Sequence, residues 1–208
     1  MNIYQQFSQL SPTAIADALS REQVMDIGIR PLWNPMPRIA GPAFTVKCAP
    51  GDNLMLHAAI YRAPRGSVIV VQSDDINYAL AGGNVCKVAQ KNGIQAFVLD
   101  GVIRDVAEAR EIGFPVFARG IMPIPGAKNV IGTLGDAPVR CGGVNVAPGD
   151  IVVADEEGIV VVSKDKVDVV LHKAKDRAAK DASETLESWE RSHRAKIDEQ
   201  LAKHGFKG

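Results

Sequence analysis

Through its first two thirds, the chain alternates short apolar runs with segments of helical spacing. Residues 11–22, SPTAIADALSRE, predict a capped helix: Ser11 suits the N-cap, Pro12 the first helical position, and Ile15, Ala18 and Leu19 share a face. The four prolines of PLWNPMPRIAGP predict an extended, turn-rich connection. AFTVKCA has strand character, APGDN reads as a turn, and NLMLHAAIYRA has helical spacing. After the turn PRGS comes SVIVVQS, a continuous apolar strand. NVCKVAQKN is a short helix entered through Ala81-Gly82-Gly83 and closed near Gly93. IQAFVLD is a buried strand, IRDVAEAREIG a second helix and FPVFARG another strand. This helix–strand–helix–strand run predicts parallel pairing in the middle of the chain.

The pattern changes from Thr133. TLGDAPVRCGGVNVAPGDIVVADEEGIVVVS has short apolar runs between PGD and DEEG turns, as antiparallel pairing requires. Asp155, Glu156 and Glu157 before Gly158 read as a hairpin turn, not a metal site. From Lys166 to about Lys203 no proline or glycine intervenes, and one or two charged helices are expected. Val167, Val170 and Leu171 give the first part an apolar face. Beyond Asp176 the apolar residues Leu186, Trp189, Ile197 and Leu201 are widely separated, so this part is expected to reach a neighbouring subunit. The expected organisation is one domain over residues 1–165, followed by a helical interface arm over 166–208.

Composition narrows the class without naming a reaction. Of 208 residues, 46% are hydrophobic, enough for a core that needs neither disulfides nor metals. Lys and Arg number 24, as do Asp and Glu, and this balance lowers the expectation of nucleic acid as a partner. No stretch approaches the roughly 20 apolar residues that span a bilayer, and the N-terminus carries no signal-peptide pattern. Cys48, Cys86 and Cys141 lack metal-ligand spacing and read as buried thiols. A cytoplasmic protein with neither nucleic-acid nor membrane partners is expected.

Two segments could carry chemistry. In Ala81-Gly82-Gly83-Asn84-Val85, glycines at a helix entrance let a ligand approach the backbone, and first-turn N–H groups favour an anion. A tight turn with nothing bound fits the same residues. Asp100-Gly101-Val102-Ile103-Arg104-Asp105 directly follows the strand IQAFVL, at the usual site edge of an α/β sheet. Arginine can bind a carboxylate or steady an oxyanion, and aspartate can ligate a hard cation such as Mg²⁺. The alternative is a surface charge at Arg104 and a helix-dipole role for Asp105. Together the segments describe a pocket suited to a 2-oxo acid. His57 reads as a packed core histidine, and His172, His193 and His204 as solvated. No GxSxG, HExxH, P-loop or GxGxxG pattern is present.

The segments TAIADAL, AGPAFTV, GDNLMLHAAI, SVIVV, GGNVCKVAQKNGIQAFVLDGVIRD, GFPVFARG and VNVAPGDIVVADEEGIVVV, in that order, resemble one family. It contains the 4-hydroxy-4-methyl-2-oxoglutarate and 4-carboxy-4-hydroxy-2-oxoadipate aldolases and the ribonuclease E regulator RraA. The resemblance implies an α/β fold of swivelling β/β/α type, assembled as a homotrimer or homohexamer with sites between subunits. It also implies a class II aldolase using Mg²⁺ or Mn²⁺, with oxaloacetate decarboxylase activity releasing pyruvate. On this pattern Gly82, Gly83, Asn84 and Val85 bind the substrate carboxylate through backbone amides, Arg104 contacts the keto oxygen, and Asp105 ligates the metal. The regulator branch lacks that aspartate, so the Arg104-Asp105 pair favours an enzyme.

One position departs from the pattern. The aldolases carry an acidic residue 21 positions before the arginine, and here that position is Gly83. Proton transfer would then fall to metal-bound water, to Asp100, Asp74 or Asp75, or to an acidic residue of a neighbouring subunit. The departure keeps open a non-catalytic regulator that binds a protein partner such as a ribonuclease, and a different metal-dependent reaction in the same pocket.

Overall fold

The computed structural model describes residues 1–206. It begins with two short helices, α1 (Ile3–Phe7) and α2 (Pro12–Ala16). As expected, the Ser11 side chain accepts from the Ala14 N–H at the start of α2. The strands and helices then follow as β1 (Arg30–Pro31), β2 (Ile39–Lys47), α3 (Leu54–Ala59), β3 (Val68–Gln72), β4 (Ala79–Ala81), α4 (Gly83–Lys91), β5 (Ala96–Ile103), α5 (Val106–Glu111) and β6 (Val116–Ile121). Four strands, β7 (Val139–Cys141), β8 (Val144–Val146), β9 (Ile151–Asp155) and β10 (Gly158–Val162), precede the helices α6 (Val167–Ser183) and α7 (Leu186–Lys203).

The main sheet has eight strands in the order β1-β6-β5-β3-β2-β9-β10, with β4 paired to β5 beside this path. β2, β3, β5 and β6 run parallel, with α3, α4 and α5 as crossovers. β9 and β10 pair antiparallel with each other, and β9 pairs antiparallel with β2, so the sheet curls into a nearly closed barrel. β7 and β8 form a separate hairpin. Both expected pairing styles are present, parallel in the middle and antiparallel after it.

Alternation along β9 and β10 places side chains in two cores. Val152, Ala154, Ile159 and Val161 face the interior cluster around Phe97, Phe114 and Phe117. Ile151, Val153, Val160 and Val162 face a second cluster with Phe7, Ile15, Val170, Leu171 and Ala174. The start of α6 therefore packs against the body of the protein, and an Arg177–Asp17 ion pair of 2.8 Å ties it to the turn after α2. By contrast α7 buries no residue, and Leu186 and Trp189 are exposed. Cys48, Cys86 and Cys141 are buried free thiols, as read from the sequence. Among the described residues, no helix is long and apolar enough to cross a membrane.

Two sequence readings need correction. The Asp100-Gly101 pair is not past the strand: β5 continues to Ile103, because β4 gives Val102 and Ile103 a parallel partner. Asp-Gly is a local turn signal, and pairing of Val102 and Ile103 with the distant β4 and β6 overrides it. A register irregularity between Leu99 and Val102 marks the same place. There Gly101 leaves room for its neighbours, since a Cβ would come within 2.6 Å of Ser73 Oγ.

The second correction concerns Asp100, Asp74 and Asp75 as proton carriers. Asp100 pairs with Arg119 and accepts from the Gly142 N–H at 2.8 Å. Arg119 also holds Asp26 at 3.0 Å, making an ion-paired brace between β5, β6 and the segment before β1. Asp75 accepts from the N–H groups of Gly51 and Asn77, and Asp74 accepts from Gln72 Nε2. All three serve local structure, and none lines the cavity described next.

Candidate active site

The ends of β4 and β5 lie side by side because the Arg104 N–H donates to the Ala81 carbonyl at 3.0 Å. This contact brings the two sequence-predicted segments together at the C-terminal edge of parallel strands, where α/β sheets commonly bind ligands. They border a cavity of about 110 Å³. Gly82, Asn84, Val85, Arg104 and Asp105 line it.

Gly82 is extended, with φ −149°, so its backbone makes no demand for glycine. Space does: a Cβ there would lie 2.6 Å from Asp105 Oδ2 and 3.2 Å from Arg104 Cγ. Gly83 is buried, and its N–H is directed at Asp105 Oδ2 at 3.3 Å. Asn84 and Val85 follow in the first turn of α4, where backbone N–H groups have no intrahelical acceptor and the helix dipole favours an anion.

Asp105 is one of two non-glycine residues with positive φ among the described residues, at φ 55° and ψ 37°. Left-handed backbone is costly for most L-residues and better tolerated by Asp and Asn. Held in that conformation, its carboxylate reaches the start of α4 and lies 3.6 Å from Arg104 Nε. The Arg104 and Asp105 side chains are 43% and 42% exposed, open to a ligand in the cavity. The buried Cys86 thiol beneath is pushed up to about 12 by desolvation, then by the Asp105 charge, which leaves it protonated and poorly nucleophilic.

Four lining residues were not read as functional from sequence: Asn53, His57, Glu108 and Lys128. His57 is half-buried and borders the cavity, which corrects its reading as a packed core residue. Burial, then the nearby Lys128 charge, hold its imidazole below the usual range, so it is neutral near pH 7. The i,i+4 spacing of Asn53 and His57, and the i,i+3 spacing of Asp105 and Glu108, were the available signals for shared faces. Lys128 carried none, because a turn more than seventy residues earlier in the chain positions its loop.

That turn centres on Asp52. Its carboxylate accepts from the N–H groups of Leu54 (2.8 Å), Asn129 (2.6 Å) and Val130 (3.2 Å), strapping the Lys128 loop beside α3. Burial works against its ionisation, but these three donors outweigh it and hold the carboxyl below its ordinary value. Asp52→Ala is expected to destabilise the protein by about 3 kcal/mol, because three backbone N–H groups lose their charged acceptor. Urea titration checks this. Because the folded value is depressed, Asp52 contributes fully above the unfolded value and loses that contribution as pH falls through the folded one. The difference between wild type and variant should therefore shrink in acid.

The donors here suit a hard divalent cation. Among the described residues no group of three or more His, Cys, Asp or Glu clusters to hold a metal. Mg²⁺, however, commonly uses only one or two carboxylates and keeps waters or substrate as its other ligands. The Asp105 carboxylate fits that requirement.

Residues 12–161 match the family model described as RraA-like, Aldolase/RraA. The chain belongs to this family. Over 177 residues it is 40% identical to a protein of Halalkalibacterium halodurans named "Putative 4-hydroxy-4-methyl-2-oxoglutarate aldolase", covering 85% of this chain and 83% of that one. Streptomyces coelicolor RraAS2, described as an unusual member of the RNase ES inhibitor RraA family, superposes with a TM-score of 0.70 at 28% identity. That match covers 93% of this chain and 97% of the other. RraA from Thermus thermophilis, described as an RNA-processing inhibitor, gives 0.66 at 27% identity, covering 73% and 92%. The Aldolase/RraA fold is thus the one inferred from the sequence.

Proposed function

We propose that this chain is a divalent-metal-dependent lyase on small 2-oxo acids. It would release pyruvate from a 4-hydroxy-4-methyl-2-oxoglutarate-type substrate, from oxaloacetate, or from both. The observation that carries this reading is the placement of Arg104 and Asp105 over the first turn of α4 in one small cavity. The name of the Halalkalibacterium relative supports the aldolase part of this reading.

In this reading the first-turn amides of α4 hold the substrate carboxylate. The Arg104 guanidinium donates to the keto oxygen and stabilises the negative charge that gathers there as the carbon–carbon bond breaks. Asp105, with water, would hold Mg²⁺ or Mn²⁺. When bound, the cation supplies Lewis-acid polarisation of the keto group. Neutral His57 and cationic Lys128 border the same cavity and would orient the rest of the substrate. A homotrimer or homohexamer completes the proposal, with exposed Trp189, Ile197 and Leu201 of α7 at contacts between copies.

Purified protein with Mg²⁺ or Mn²⁺ should release pyruvate from oxaloacetate or a 4-hydroxy-2-oxo diacid, detected by coupled lactate dehydrogenase. Release that persists after chelation, or none across a panel of such acids, would sink the proposal. The likeness to RraA proteins described as inhibitors supports a second reading, a regulator that binds a ribonuclease. Recovery of such a partner in a pull-down, unchanged by Asp105→Ala, would favour it.

A further inference from the structure

We propose that Glu108 is the second cation-holding carboxylate of this site, seated in the space that Gly83 leaves by having no side chain. The proposal rests on the metal-dependent reading above.

Glu108 stands in the first turn of α5, one helical turn beyond Asp105 and on the same face. Its side chain crosses to the start of α4. A Cβ on Gly83 would lie 2.6 Å from Glu108 Cδ and 2.8 Å from Glu108 Cβ, and would overlap Oε2. No positive φ calls for glycine at position 83, and glycine inside a helix carries an entropic cost. What the missing side chain provides is room for this carboxylate.

Three further observations give the arrangement a purpose. Glu108 and Asp105 are the only acidic residues lining the cavity among the described residues, so its negative charge comes from these two. Lys87 Nζ donates to Glu108 Oε2 at 2.6 Å and fixes the carboxylate from the solvent side. As an isolated surface pair this contact would contribute little to stability; as a brace it orients an oxygen ligand.

The third observation is independent of the acidic pair. Asn53 lines the same cavity and is 3% exposed, and its Oδ1 has no hydrogen-bond partner. Its Nδ2 is already committed to the Ala79 carbonyl at 3.2 Å. A buried, unpartnered amide oxygen requires a donor or a cation. Asp105, Glu108 and Asn53 all line this cavity, and carboxylate and amide oxygens are the ligand type that a partly hydrated Mg²⁺ or Mn²⁺ takes.

The test is Mn²⁺ binding without substrate, read from the electron paramagnetic resonance signal of free Mn²⁺. Glu108→Gln should weaken binding about tenfold or more, comparable to losing an oriented outer ligand, with an unchanged circular dichroism spectrum. The double variant Gly83→Asp/Glu108→Ala, which moves the carboxylate onto the vacated side, should recover most of the loss. Binding by Glu108→Gln within twofold of wild type overturns this proposal alone. Tight wild-type binding with no recovery in the double variant, and equal loss in Lys87→Met and Glu108→Gln accompanied by lower thermal stability, also overturns it, in favour of a structural ion pair. No Mn²⁺ binding by the wild type overturns both this proposal and the metal-dependent reading.

Discussion

Asp105→Asn should lower the turnover number for pyruvate release by about 10³-fold, while the protein stays folded. The size follows from removing the charged ligand whose cation would polarise the reacting carbonyl, a contribution of several kcal/mol. Asparagine is the informative replacement because, like aspartate, it tolerates the left-handed backbone found at this position. Alanine would add conformational strain of roughly 1–2 kcal/mol and confuse a folding defect with a chemical one. Steady-state kinetics at saturating Mn²⁺, with thermal melting alongside, separates the two. A loss below tenfold would remove Asp105 from the reaction.

Arg104→Lys should lower the turnover number by about 10²-fold, with a smaller change in KM. Lysine keeps the charge but loses the planar fork that can address two oxygens at once. Loss of a single oxyanion donor costs about 10²–10³-fold in other enzymes. Arg104 is 43% exposed, and its one ion pair is the 3.6 Å contact with Asp105, so little stability should be lost. Equal losses in Arg104→Lys and Arg104→Ala would show that geometry outweighs charge. An unchanged turnover number in Arg104→Lys would contradict a role at the keto oxygen.

The two site segments were legible in the sequence because each has a strong local signature. Gly-Gly at a helix entrance and Arg-Asp at a strand end are each recognised from neighbouring residues alone. The capped helix at Ser11, the parallel middle and the antiparallel DEEG hairpin were legible for the same reason, since hydrophobic period and turn residues act over short range. Asp100 misled because Asp-Gly imitates a turn; pairing with β4 and β6 extends the strand past it. His57 misled because an apolar helix face does not reveal that one of its turns borders a cavity.

By itself, the sequence determined the alternation of strands and helices and the family, and it singled out Arg104-Asp105 and the start of α4 as candidate site segments. These depend on local periodicity, turn chemistry and residue order. Only the tertiary structure decided which carboxylates share the cavity. Asp74, Asp75 and Asp100 are held by their own hydrogen-bond partners elsewhere. Glu108 arrives over Gly83 because two helices on neighbouring strands pack side by side. Asn53 and Lys128 arrive because Asp52 straps a loop to α3. Such contacts join residues tens of positions apart, and their geometry is set by sheet register and helix packing, which no local pattern encodes.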